Sequence, residues 1–86
     1  MGDSLHRTQG GEMKIERIYL AIGSNIRAIR NEAGMTQQTL PRQVEMTRAS
    51  IANIEAGNQR LMLHDVARFC KALGVHQRYI LPEGWL

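Results

Sequence analysis

The run from Arg48 to Asn53 is the part of this 86-residue chain whose residue types and spacing suggest chemistry. Wound on a helix at about 100° per residue with Arg48 at zero, Ala52 falls at about 40°, Ala49 at about 100° and Asn53 at about 140°, while Ile51 and Ile54 fall at about 300° and about 240°. One side is apolar and can anchor. The other presents a guanidinium and a carboxamide separated only by methyl groups. Arginine pairs bidentately with O6 and N7 of guanine, asparagine pairs with N6 and N7 of adenine, and an alanine methyl meets the thymine methyl. Small residues between the two let a helix backbone come close to base edges. On this face alone, an ordinary amphipathic helix with a short outward side explains the pattern equally well.

Charge is consistent with a polyanionic partner without proving one. The chain carries a formal charge of +3, but Asp3, Glu12 and Glu83 lie outside the segment from Lys14 to Arg78. That segment holds ten of the eleven basic and five of the eight acidic residues, a net charge of +5. A basic domain with scattered arginines suits phosphate binding, and a solvated basic surface has the same composition. Length supports one domain with a modest core. A hydrophobic content of 43% with only 5% aromatic residues favours small helices packed through Ile, Leu, Val, Ala and Met. The single Cys70 cannot form an internal disulfide, and no run reaches the roughly 18 apolar residues that span a bilayer. A cytoplasmic protein is expected.

The elements that must position the Arg48 to Asn53 face follow from apolar spacing and caps. Residues 1–13 show no period and carry Gly2, Gly10 and Gly11, which predicts a flexible leader. From Lys14 to Ala33, Ile15, Ile18, Ile22, Ile26, Ile29 and Ala33 recur at steps of three or four, predicting a first helix closed by Gly34. Thr36 offers a cap for a second helix with Leu40 and Val44 inward. Thr47 caps a third helix from Arg48 to Ala56, stopped by Gly57. A fourth runs from Leu63 to Leu73 with Leu63, Val66, Ala67, Cys70 and Leu73 on one face, and a short fifth helix or turn is expected about His76 to Leu81. The domain is thus expected over 14–81, with 82–86 a tail.

Taken together, "IRAIRNEAGMTQQTL", "TRASIANIEAGNQR" and "LMLHDVARFCKALGV" give a combined fingerprint: Thr-Gln opening the second helix, Thr47 eleven residues after Thr36, Ile-x-x-Ile-Glu-x-Gly closing the third, and Leu-Gly-Val after the fourth. The stretch from about Ile22 to Leu81 resembles the Cro/C1-type, or XRE, family of helix-turn-helix DNA-binding proteins. The resemblance implies an all-α, lambda-repressor-like bundle of about five short helices, with the helix-turn-helix at the second and third. It implies a transcriptional regulator, expected to be a repressor, that acts on double-stranded DNA as a homodimer. Antitoxins and restriction-modification controllers share the pattern, and a protein-binding adaptor built on the same scaffold is the alternative from another class.

Residue by residue, the resemblance places Arg48, Ala49, Ser50 and Asn53 where base-reading side chains lie. It places Gln37, Thr47, Asn58, Arg60 and Arg27 as phosphate contacts, and Arg30 with Glu55 as a salt bridge between the first and third helices. Tyr79, Ile80 and Trp85 are the apolar residues expected at a dimer contact. A toxin or a polymerase is a possible protein partner, and the place of action would be the nucleoid. Two residues depart from the family pattern. Pro41 stands where a small alanine is usual and forfeits a helix hydrogen bond unless the helix starts late. Glu45 stands where the turn often has glycine with positive φ. No metal spacing links His6, His64 or His76 to Cys70, and no phosphate loop or nucleophile and base arrangement is present, so no enzyme activity, metal or cofactor is expected.

Overall fold

Apolar residues at helical spacing produce four α-helices in the computed structural model, which describes residues 2–83, with side chains described from residue 17 onward except at 41 and 43. They are α1 (Gly2–Glu32), α2 (Leu40–Val44), α3 (Arg48–Glu55) and α4 (Leu63–Leu73), followed by a single 3₁₀ turn, Gln77–Tyr79. The described residues are all-helical, with four α-helices rather than five short ones. The fifth element, expected as a short helix or turn about His76 to Leu81, is the 3₁₀ turn. The first helix is long, because its backbone begins at Gly2 inside the segment expected to be a leader. No proline interrupts residues 2–32, and extending an existing helix is much easier than nucleating one.

Ile22 and Ile26 of α1, Leu40 and Val44 of α2, Ile51 and Ile54 of α3, Val66 and Phe69 of α4 and Ile80 after the 3₁₀ turn form one buried cluster. Among the described residues Phe69 is the largest fully buried side chain. In α4 the buried side therefore centres on Val66 and Phe69, with Cys70 and Leu73 half-buried, and the expected inward pair Leu63 and Ala67 lies exposed. Burial pushes the Cys70 thiol up, which favours its protonated form. The face is rotated because the aromatic ring, with the most surface to bury, takes the central position. The expected dimer residue Ile80 is likewise fully buried within one chain, and its carbonyl accepts a hydrogen bond from Asn25 at 2.9 Å. The 3₁₀ turn folds it inward and closes the core.

The proline is accommodated by a late start. Thr36 Oγ1 accepts from the N–H groups of Gln38 and Thr39, and the Thr36 carbonyl accepts from Thr39 and Leu40. Helix α2 begins only at Leu40, so Pro41 is its second residue. In the first turn of any helix the N–H has no intrahelical partner, and a missing donor costs little there. Glu45, ending α2, takes φ +58°. A left-handed conformation costs a non-glycine residue about 1–2 kcal/mol. Glycine would relieve it but would add about 0.4–1 kcal/mol of unfolded-state entropy. The Glu45 contact to Arg68, 3.8 Å between exposed side chains, adds little. Glu45→Gly is therefore expected to raise stability by about 0.5 kcal/mol, a rise of about 2–4 °C in Tm by differential scanning calorimetry.

Candidate nucleic-acid interface

Helix α3 is seated by Ile51 and Ile54, 0% and 1% exposed. Its first turn is closed by Thr47 in extended conformation, whose Oγ1 accepts from the Ser50 N–H at 3.0 Å. Its last turn closes at Gly57, φ +78°, where the Gly57 N–H reaches the Ile54 carbonyl and the Asn58 N–H reaches that of Asn53. These are the two bonds of a Schellman closure, and they need the left-handed residue that glycine supplies. With both ends fixed and the apolar side covered, Arg48, Ala49 and Asn53 are left exposed, with Ala52 half-buried between them. The face expected from the angular spacing is present on the folded chain. Ser50 does not share it. At about 200° it lies on the anchored side, half-buried, and its Oγ accepts from the Thr47 hydroxyl at 3.1 Å.

Arg48 opens a helix whose first turn holds no acidic residue. A cation there opposes the helix dipole, so its position is unfavourable for the folded chain taken alone. Among the described residues no carboxylate lies within ion-pair distance of Arg48, Arg27 or Arg60, and all three are exposed. Asn58, in the loop after α3, is exposed as well.

A buried polar network holds α3 to the rest. Arg30 of α1 meets Glu55 with two parallel bonds, Nε to Oε2 at 2.6 Å and Nη2 to Oε1 at 2.9 Å, and its Nη1 donates to the Met35 carbonyl at 2.8 Å. The side chains of this pair are 8% and 3% exposed. Gln37 Nε2 donates to Glu55 Oε1 at 3.1 Å. Burial alone would push the Glu55 carboxyl up, but the hydrogen bonds from Arg30 and Gln37 and the charges of Arg30 and Arg27 outweigh it and hold it below the usual carboxylate range. The Arg30 guanidinium is held above its usual value by its hydrogen bond to Glu55, against burial. Both groups stay charged across the neutral range. The Gln37 amide, expected from its position to face a phosphate, thus has one N–H committed within the protein.

Other site residues fall elsewhere. Tyr79 is 60% exposed at the 3₁₀ turn. Trp85 lies outside the described residues. Asp65 accepts from the Met62 N–H at 3.1 Å, a helix-capping role, and His64 sits beside it on the surface. Among the described residues no group of three His, Cys, Asp or Glu side chains is placed to hold a metal ion, and no helix is long and apolar enough to cross a membrane.

Sequence reasoning missed Gly23, which is buried on α1. A β-carbon there would run into the Ile54 carbonyl oxygen and stand 3.0 Å from the Glu55 carbonyl oxygen. The last turn of α3 rests on the bare backbone of α1. The only trace in the sequence is a glycine in the middle of a helical run, where it weakens the helix and so calls for a reason.

A short capped helix on a buried seat, presenting Arg, Ala and Asn outward and preceded by a second helix across a tight turn, defines a helix-turn-helix. The family model for the helix-turn-helix domain matches residues 21–78, and the chain belongs to that family. Control protein C.BamHI of Bacillus amyloliquefaciens is 32% identical over 65 residues, 74% of this chain and 80% of that protein. The crystal structure of the restriction-modification controller protein C.AhdI from Aeromonas hydrophila shares the fold at a TM-score of 0.70 and 22% identity, over 73% of this chain and 96% of that one. The structure of the hypothetical transcription factor NHTF from Neisseria aligns at a TM-score of 0.70 with 26% identity, over 79% of this chain and 80% of that one. Within the family this chain is a Cro/C1-type DNA-binding transcriptional regulator.

Proposed function

We propose that the chain acts as a homodimer on a near-palindromic operator, with α3 of each copy in the major groove and a repressor's or controller's effect on nearby genes. The observation that carries this reading is the separation of faces on α3, with Ile51 and Ile54 covered and Arg48, Ala49 and Asn53 exposed. Arg48 would read guanine, Asn53 adenine and Ala49 a thymine methyl. Arg27, Thr47, Asn58, Arg60 and the free N–H of Gln37 would meet phosphates. One such helix covers half a site, so specific binding calls for two copies with their reading helices about 34 Å apart along the duplex. The exposed Tyr79 end is the surface proposed for that contact. This is a binding protein, not an enzyme, with its place of action on the nucleoid. The likeness to C.BamHI favours a restriction-modification controller among the alternatives.

Selection from randomised duplex DNA tests the reading directly. A recovered site with two-fold symmetry supports it, and recovery of no preferred sequence refutes it. On that site Arg48→Ala is expected to cost about 1–3 kcal/mol and to relax preference at one base pair. It removes a cation from the positive end of α3, so Tm should not fall. Arg60→Ala, by contrast, should weaken all duplexes alike and lower the salt slope of binding by about 1. Fluorescence anisotropy over a salt series separates the two.

A further inference from the structure

Gln37 and Glu55 are eighteen residues apart, one in the turn before α2 and the other at the end of α3, yet the Gln37 amide donates to the Glu55 carboxylate at 3.1 Å. The carboxylate is itself fixed by Arg30 through both oxygens, and Arg30 is pinned to the Met35 carbonyl just ahead of the turn. An ionised carboxylate only accepts hydrogen bonds, so it decides which end of an amide faces it. With the NH₂ end held on Glu55, the second N–H of Gln37 has no partner among the described residues and is available to donate. We propose that Glu55 is a positioning residue for DNA binding: its carboxylate, seated by Arg30, sets the Gln37 amide so that the free N–H meets a backbone phosphate, and it joins that anchor to the end of the reading helix as one rigid unit. This rests on the DNA reading proposed above.

The sign of a single substitution distinguishes the idea from simple electrostatics. Removing a carboxylate from a DNA-binding surface should strengthen attraction to a polyanion. Positioning requires the opposite. Glu55→Gln, whose amide can hold Gln37 in either orientation, is expected to weaken the selected operator about tenfold, the loss of about one good hydrogen bond, with the folded fraction matched by circular dichroism. In the Gln37→Ala background the same substitution should cause no further loss. Unchanged or tighter binding by Glu55→Gln, or losses that multiply in the double variant, overturns the proposal. Should Glu55→Gln fail to fold, the unsubstituted chain provides the test by NMR. The two Gln37 amide protons should differ strongly, one exchanging slowly and shifting as acid protonates Glu55, whereas a pair resembling free glutamine overturns the proposal. Failure of the unsubstituted chain to select any site would instead refute the DNA reading.

Discussion

Arg30→Ala is expected to lower the stability of the chain by about 3–5 kcal/mol, because it leaves the Glu55 carboxylate buried without its cation. Glu55 is 3% exposed at the side chain and loses two of its three hydrogen bonds, and the Met35 carbonyl loses its donor as well. For 86 residues total stability is about 4–13 kcal/mol, so the loss is a large share of the whole. Urea unfolding should show the midpoint falling with little change in slope. Replacing both partners by apolar residues of similar volume should cost less than removing one, since no charge is then stranded. Equal or greater loss in the double variant would mean that the pair supplies stability beyond its own desolvation. Acid provides an independent reading. The Glu55 pKa is depressed in the folded chain, so its contribution is fully present above the unfolded carboxylate value of about 4.3 and is lost as pH falls through the lower folded value. Arg30→Ala should therefore be least damaging at low pH, where the unsubstituted chain has already lost this contribution.

What could be read in advance divides by the distance over which the cause acts. Arg48, Ala49, Asn53, Ile51 and Ile54 lie within seven residues on one helix, and a fixed rotation per residue is enough to separate their faces. The caps at Thr47, Gly34 and Gly57 are equally local, since a hydroxyl before a helix and a glycine after it act on neighbouring backbone groups. The Arg30 to Glu55 pair spans twenty-five residues and was reached only through resemblance to a family, because no local rule says which arginine of α1 turns inward. Phe69, Ile80 and Gly23 fall in the same class. Each has a sequence signal consistent with several placements, and the choice is made by a surface contributed by another element. Ile80 illustrates this best: an apolar residue near the end of a helical domain serves a dimer contact or a core equally well until the 3₁₀ turn is known to fold back. Glu45 is intermediate, since its turn position was legible and its positive φ is a local consequence of that turn.

Gly23→Ala is expected to have an effect of similar size to the loss of Arg30, about 3 kcal/mol, despite adding one methyl group. Alanine is the better helix former by about 1 kcal/mol, so propensity alone predicts a more stable chain. The added β-carbon would overlap the Ile54 carbonyl oxygen and crowd the Glu55 carbonyl oxygen, and these are backbone atoms that cannot rotate away. Overpacking of this kind costs about 1–3 kcal/mol and sometimes more, because helices must move apart to accept it. Helix α3 would have to move, and it carries Arg48 at its start and Asn53 and Glu55 toward its end. Stability and specific DNA binding should therefore fall together, whereas Arg48→Ala should reduce binding alone. Thermal unfolding and operator titration of the two variants, run side by side, test the claim that the reading helix rests on the α1 backbone. A Gly23→Ala variant that melts higher than the unsubstituted chain would show propensity to dominate and the close approach of α1 and α3 to be dispensable.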